Sequence, residues 1–324
     1  MLAQKFVDLY ARGCRVPLPV AERDVVLTYV LRILGDKGLL DQLVLKGGTC
    51  IRKVFFGRTA RFSEDLDFTA LTITEPEDLV LDIAESFDGK NYHGLAFSVA
   101  SSDFYVREDR RACGARIGYA HEWNPSAQFG LDVSLRESPI LPAVKQPLIA
   151  ESYFERLEVE PPLVITLQLE EVIAEKIRAM YQRRTARDVY DLFELHRKPF
   201  DRDLVRTLAV LKCWLVRDSF DPERFLAELS AQSYMWGDIQ RLIRRDQQPD
   251  PTEVIAGCLK GYDFLRHLTS EELALSKDRY GHRQDLFEKI VAGLSSGGRP
   301  DESHGGGHRT GAGSRETGNG EGGS

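Results

Sequence analysis

The spacing of apolar residues changes near residue 165, and that change limits what the chain can fold into. Before it, short stretches alternate. In DLDFTA (65–70), Leu66 and Phe68 interleave with Asp65, Asp67 and Thr69, the period of a strand with one apolar and one polar face. LAFSVAS (95–101), GARIGYAHE (114–122) and QFGLDVSL (128–135) are further strand candidates, and QLVLK (42–46) is a short apolar strand. Two helical stretches, 20–34 and 76–87, stand among them. After residue 165 the period becomes 3.6, through 167–184, 186–197, 201–218, 221–232, 252–268 and 283–294. The expected class is α/β (α+β): a mixed-sheet unit over 1–160 and a helical unit over 161–295 that completes a cleft. Residues 296–324 are rich in glycine and nearly free of apolar side chains, so they are expected to stay disordered.

Composition excludes several classes. A formal net charge of −7 argues against a protein that coats nucleic acid indiscriminately, although a local basic groove is compatible with it. No apolar run approaches the roughly 20 residues needed to span a bilayer, and the first residues lack the build of a secretion signal. Five scattered cysteines without a CxxC pair suggest buried thiols in a cytoplasmic protein rather than disulfides or a zinc site.

The chemistry concentrates in KGGTCIRKVFFGRTARFSEDLDFTA (46–70). Asp65 and Asp67, two apart on a strand, share a face, and two like charges there call for a cation between them. A divalent ion such as Mg²⁺ takes oxygen ligands of this kind together with substrate phosphates. Gly47, Gly48 and Thr49, between a strand and a helix, let backbone N–H groups and a hydroxyl approach an anion. Taken singly, a glycine pair is usually a turn and a DxD a solvated face. In this order within about 20 residues they outline a phosphoryl- or nucleotidyl-transfer centre. In QFGLDVSL, Asp132 lies on the polar face of its strand. If that strand lies beside 65–70, Asp132 completes a three-carboxylate set for two metals about 4 Å apart.

GGT followed by RFSEDLDF resembles the nucleotidyltransferase signature of the AbiEii/AbiGii toxins, the MenT-like group. EEVIAEKIRAMYQRRTARDVYDLFEL (170–195) is similar to that family's lysine-bearing helix and R-D-x-Y-D-L segment. The resemblance implies a polymerase-β-type nucleotidyltransferase core with a helical C-terminal region. It further implies that Gly47, Gly48 and Thr49 contact phosphate, that Ser63 lies in the active site, and that Asp65 and Asp67 bind Mg²⁺ or Mn²⁺. Lys176 matches the lysine that meets the triphosphate, and Asp188 matches the downstream acid. By the same resemblance the substrate is a nucleoside triphosphate, GTP among the candidates, and the acceptor is the 3′ end of tRNA. The partner is a winged-helix antitoxin. Read from the residues alone, Lys176 flanks an apolar stripe as a snorkelling lysine does, and Asp188 stands three residues after Thr185 as in a helix cap. Arginines crowd 178–187 and 107–116, where they face either water or an RNA backbone. The general base is Asp132 or Asp188. Two rivals remain: a DxD sugar-nucleotide glycosyltransferase, and a nucleotide- or RNA-binding module without turnover.

Overall fold

The computed structural model describes residues 2–72, 75–231 and 234–296. The expected disordered tail lies, from residue 297 onward, outside them. Two helices open the chain, α1 (Gln4–Cys14) and α2 (Leu18–Asp36). Pro17 stands just ahead of α2, where its missing N–H costs nothing. Strand β1 (Leu43–Lys46) runs directly into α3 (Gly47–Cys50), which continues as a wide π-type turn over Ile51–Phe56. Then come β2 (Leu66–Ala70) and α4 (Pro76–Phe87). The strands β3 (Asn91–Tyr92), β4 (Leu95–Ser98), β5 (Phe104–Val106), β6 (Ala112–His121), β7 (Asn124–Ser134) and β8 (Val144–Pro147) follow.

The alternating stretches pair into a mixed sheet of order β3-β4-β6-β7-β2-β1-β9-β8, with β5 on β6 and β9 at Leu163–Thr166. β2 runs parallel to β7, and β1 parallel to β9; the remaining pairs are antiparallel. β9 falls within the segment read from sequence as helical. Four residues are too few to display a period, and only pairing with β1 reveals the strand.

One face of the sheet is fully apolar. Leu45, Leu66, Phe68, Leu131, Val133, Cys113 and Ala115 are buried there with α1, α2 and α4 in the first hydrophobic cluster. On the other face Val44 joins a second cluster built by the C-terminal helices. After α5 (Tyr153–Arg156), which packs in the first cluster, these include α6 (Leu169–Arg183), α7 (Ala186–Leu195) and α8 (Arg202–Leu215). The helices therefore cover the second face at its β1 side, and a cleft remains between α6 and the strands beyond. All five cysteines are buried thiols. Among the described residues no helix is long and apolar enough to cross a membrane.

Candidate active site

Strand register builds the site. Lys46 of β1 lies opposite Asp67 of β2, Asp67 opposite Asp132 of β7, Asp132 opposite Gly114 of β6, and Gly114 opposite Tyr105 of β5. Directly paired residues project to the same face, so Lys46, Asp67, Asp132 and Tyr105 form one row across the sheet. The condition set for Asp132, that its strand lie beside 65–70, is met. Gly114 contributes no side chain to this row. A Cβ there would stand 2.9 Å from the Tyr105 ring and 3.0 Å from Asp132 Oδ1. That gap lets the Tyr105 hydroxyl donate to Asp132 Oδ1 at 2.6 Å.

Gly47 opens the helix after β1 with φ +72° and borders the cleft. A Cβ on it would meet Asp67 Oδ2 at 2.2 Å, so the glycine is what allows the carboxylate to pack against the turn. Gly48 is buried with Arg61 and Ser63 side chains against it. Thr49 is fully buried, and its hydroxyl donates to the Asp65 carbonyl at 2.6 Å. It ties the glycine turn to the acidic strand rather than facing the cleft. Asp65 lies one step before β2, and its Oδ1 accepts the Gly130 N–H at 2.9 Å. Ser63 is half-buried on the approach to it.

The second motif meets the first through a buried ion cluster. Arg61 donates to both oxygens of Asp191, each at 2.8 Å, and Lys176 Nζ lies 2.7 Å from Asp191 and 3.3 Å from Asp188. Asp188 also accepts from Arg183 at 2.9 Å and from the Thr185 hydroxyl at 2.8 Å, while its own N–H donates back to Thr185 as the cap of α7. Lys176 is thus buried and shared between two carboxylates, not snorkelling, because Arg61 and α7 close over it. Against the desolvation of burial, Asp191 and then Asp188 hold the Lys176 pKa above its usual value. Against the same desolvation, Lys176 and Arg183 hold Asp188 below the usual carboxylate range.

Asp67 is the opposite case. Burial raises its pKa, Lys46 and Lys176 pull it back, and Asp132 and Asp65 push it further up. Among the described residues no cation stands within ion-pairing distance of Asp65, Asp67 or Asp132. Carboxylates side by side without a cationic partner are the donor set a hard divalent cation fits, and Asp67 and Asp132 would hold it. Asp65 lends its carboxylate to a backbone N–H instead. Correspondingly, among the described residues no three His, Cys, Asp or Glu side chains are gathered as a metal cluster.

The cleft, about 440 Å³, is lined by Lys46, Gly47, Asp67 and Asp132 on the sheet side and by Glu175, Lys176, Arg178 and Arg183 on the helix side, with Arg107 and Arg136 beside them. On that helix side Arg178 pairs with Glu175 at 2.7 Å, and behind them Lys212 bridges Glu175 and Glu171. Reading the sequence singled out neither Lys46, Tyr105, Gly114, Arg61 nor Asp191. Arg61 and Asp191 stood inside the two quoted motifs, and their opposite charges were the available signal.

The family described as nucleotidyl transferase AbiEii toxin, type IV toxin–antitoxin system, matches residues 29–274. Comparison with curated proteins gave no match. Among solved structures, the chain is similar to MenT4, a nucleotidyltransferase toxin from Mycobacterium tuberculosis H37Rv. The TM-score is 0.77 at 27% identity, over 91% of this chain and 99% of that one. The resemblance read from the sequence and the expected fold class both hold, and the chain belongs to the AbiEii family of nucleotidyltransferase toxins of type IV toxin–antitoxin systems.

Proposed function

We propose that this toxin transfers a nucleotide from a nucleoside triphosphate to the 3′ end of an RNA, tRNA above all, and so stops translation until its antitoxin intervenes. The acceptor hydroxyl forms a bond to the α-phosphorus, the α–β bridging bond breaks, and pyrophosphate leaves with the electron pair. The observation that carries this reading is the placement of Asp67 and Asp132 in adjacent register, without cationic partners, in one cleft with Gly47 and Lys176. Mg²⁺ or Mn²⁺ bound there supplies charge neutralisation for the triphosphate and acidifies the attacking hydroxyl.

The chain's own groups have separable parts in this scheme. Lys46, Arg107 and Arg136 offer positive charge to the β- and γ-phosphates at the cleft mouth. Lys176, already neutralised in part by Asp188 and Asp191, fixes the cluster at the cleft wall and meets the triphosphate as a shared charge. Gly47 keeps the turn close to Asp67. Of the two acids considered as general base, Asp132 suits the task better, because both oxygens of Asp188 are already occupied and its carboxyl is held low. Ser63 and Asp65 border the acceptor side. In this division the sheet unit, 1–160, holds the acids, and the helical unit, 161–295, closes the cleft.

The test is incubation with labelled nucleoside triphosphates, Mg²⁺ and total tRNA. Label on RNA with the wild type, none with Asp67→Ala, and Asp67→Ala harmless in cells is the expected result. Label on protein instead, or equal transfer by Asp67→Ala, contradicts it. Sequencing tRNA 3′ ends after expression identifies the added base, and co-expression identifies the antitoxin.

A further inference from the structure

We infer that the acceptor strand is held by an arginine strip on the far side of Asp67 from the triphosphate cleft, formed by Arg187, Arg241, Arg244, Arg245, Arg15 and Arg12. The inference rests on the RNA-acceptor reading above and says which surface carries the phosphodiester backbone leading to the reacting 3′ end.

Asp67 marks the border. The cleft extends from it toward Ser134, the last residue of β7, and Arg136 just beyond, and neither Glu64 nor Asp65 lines it. An attacking hydroxyl approaches the α-phosphate opposite the departing pyrophosphate. With the pyrophosphate beside the cations of the cleft, the acceptor comes in from the Asp65 side. There Glu64, one residue before Asp65, is bracketed by Arg187 at 2.8 Å and Arg241 at 2.6 Å. The turn carrying Arg241–Arg245 is fastened to this segment by the Phe62 N–H donating to the Leu242 carbonyl at 2.7 Å. Beyond it Asp246 is shared by Arg244 at 3.0 Å and Arg15 at 3.1 Å, and the Arg245 N–H donates to the Arg15 carbonyl at 3.1 Å. Arg12, Arg15 and Arg245 then line a groove of about 520 Å³ at the end of α1.

Charge favours a polyanion. Four of the six arginines pair with two bridging carboxylates, Glu64 and Asp246, and Asp8 in the groove is a third acid. Arg12 and Arg245 are exposed, and among the described residues neither makes an ion pair. This surplus sits on a chain whose net charge is −7, so it is local concentration against the overall sign. A row of guanidinium forks matches successive phosphates, and the carboxylates bracketed between arginines hold the row open before RNA arrives.

The test measures binding of fluorescein-labelled total tRNA to the full chain across a NaCl series. The variants are Arg12→Gln/Arg245→Gln, which breaks no ion pair, and Arg241→Gln. Each phosphate contact removed should lower the slope of log K against log salt by about 0.9 or somewhat less. The double variant is expected to flatten the slope by nearly two and to weaken binding at low salt at least tenfold. Nucleoside triphosphate affinity, read by calorimetry, should stay within twofold. Wild-type slopes in both variants, with tRNA still bound, overturn this inference alone. A wild type that neither binds nor labels any RNA overturns the acceptor reading on which it rests.

Discussion

Replacing Asp191 with asparagine tests the buried cluster that joins the two motifs. Arg61 is 5% exposed and Lys176 7%, and together they face Asp191 and Asp188 at 2% and 1%. Asp191→Asn keeps the shape but leaves two buried cations, with Arg183 at the exposed edge as a third, around the single buried carboxylate of Asp188. Removing one partner of a buried ion pair costs about 3–5 kcal/mol, chiefly because the remaining charge stays desolvated. Asparagine keeps an acceptor for Arg61, so the lower end, about 3 kcal/mol, applies. Against a total stability of roughly 5–15 kcal/mol this is a large fraction. At about 2–4 °C per kcal/mol it lowers Tm by about 6–12 °C. Urea unfolding at pH 7 reads it directly. The double variant Arg61→Leu/Asp191→Leu removes the charges in a pair and should be less destabilised than Asp191→Asn. The Lys176 contribution carries its own sign: a folded pKa above 10.5 means it is fully present below pH 10.5 and fades only above it. A loss under about 1 kcal/mol for Asp191→Asn, or strictly additive single variants, would refute the reasoning.

Further outcomes follow from the row across the sheet. Gly47→Ala places a methyl against the Asp67 carboxylate at a left-handed φ, so it should abolish transfer and cost about 1–3 kcal/mol in unfolding experiments. Asp67→Asn should inactivate the protein yet stabilise it at pH 7, since burial holds this carboxyl's pKa above 3.8 in the folded state. The sign follows: the ionised carboxylate costs stability above its unfolded pKa, so the gain of Asp67→Asn should shrink as pH falls through the folded value and vanish below 3.8, in paired urea titrations. Tyr105→Phe deletes the donor to Asp132 and, at a half-exposed site, should weaken Mn²⁺ binding by about 1 kcal/mol, or roughly fivefold, in a paramagnetic relaxation titration.

How much of this was written legibly along the chain depends on reach. Local signals worked. Alternation marked β2 and put Asp67 on its polar face, although Asp65 falls one step before the strand; the glycine pair marked the strand-to-helix turn, and Thr185 with Asp188 marked the start of α7. Asp132 was visible as an acid on a polar face, but only the parallel pairing of β2 with β7 sets it beside Asp67. Tyr105 reaches Asp132 across a third strand through the gap at Gly114, a relation with no local trace. Arg61 and Asp191 are 130 positions apart, and nothing short of packing shows that they pair. Lys176 was only half legible for the same reason: its own helix puts it at a stripe edge, facing either water or a cleft, and the burial comes from α7 and Arg61. Thr49 looked like a phosphate donor because its partner, the Asp65 carbonyl, is a backbone atom that no side-chain pattern reports.

The central claim is that Asp67, Asp132, Gly47 and Lys176 form one nucleotide cleft. A crystal grown with Mn²⁺ and a non-hydrolysable nucleoside triphosphate tests it most directly, through the anomalous signal of the metal. The account predicts a manganese peak against the Asp67 and Asp132 carboxylates, with the triphosphate running toward Lys46, Arg107 and Arg136. Manganese and triphosphate bound elsewhere, with those two carboxylates bare, would contradict it.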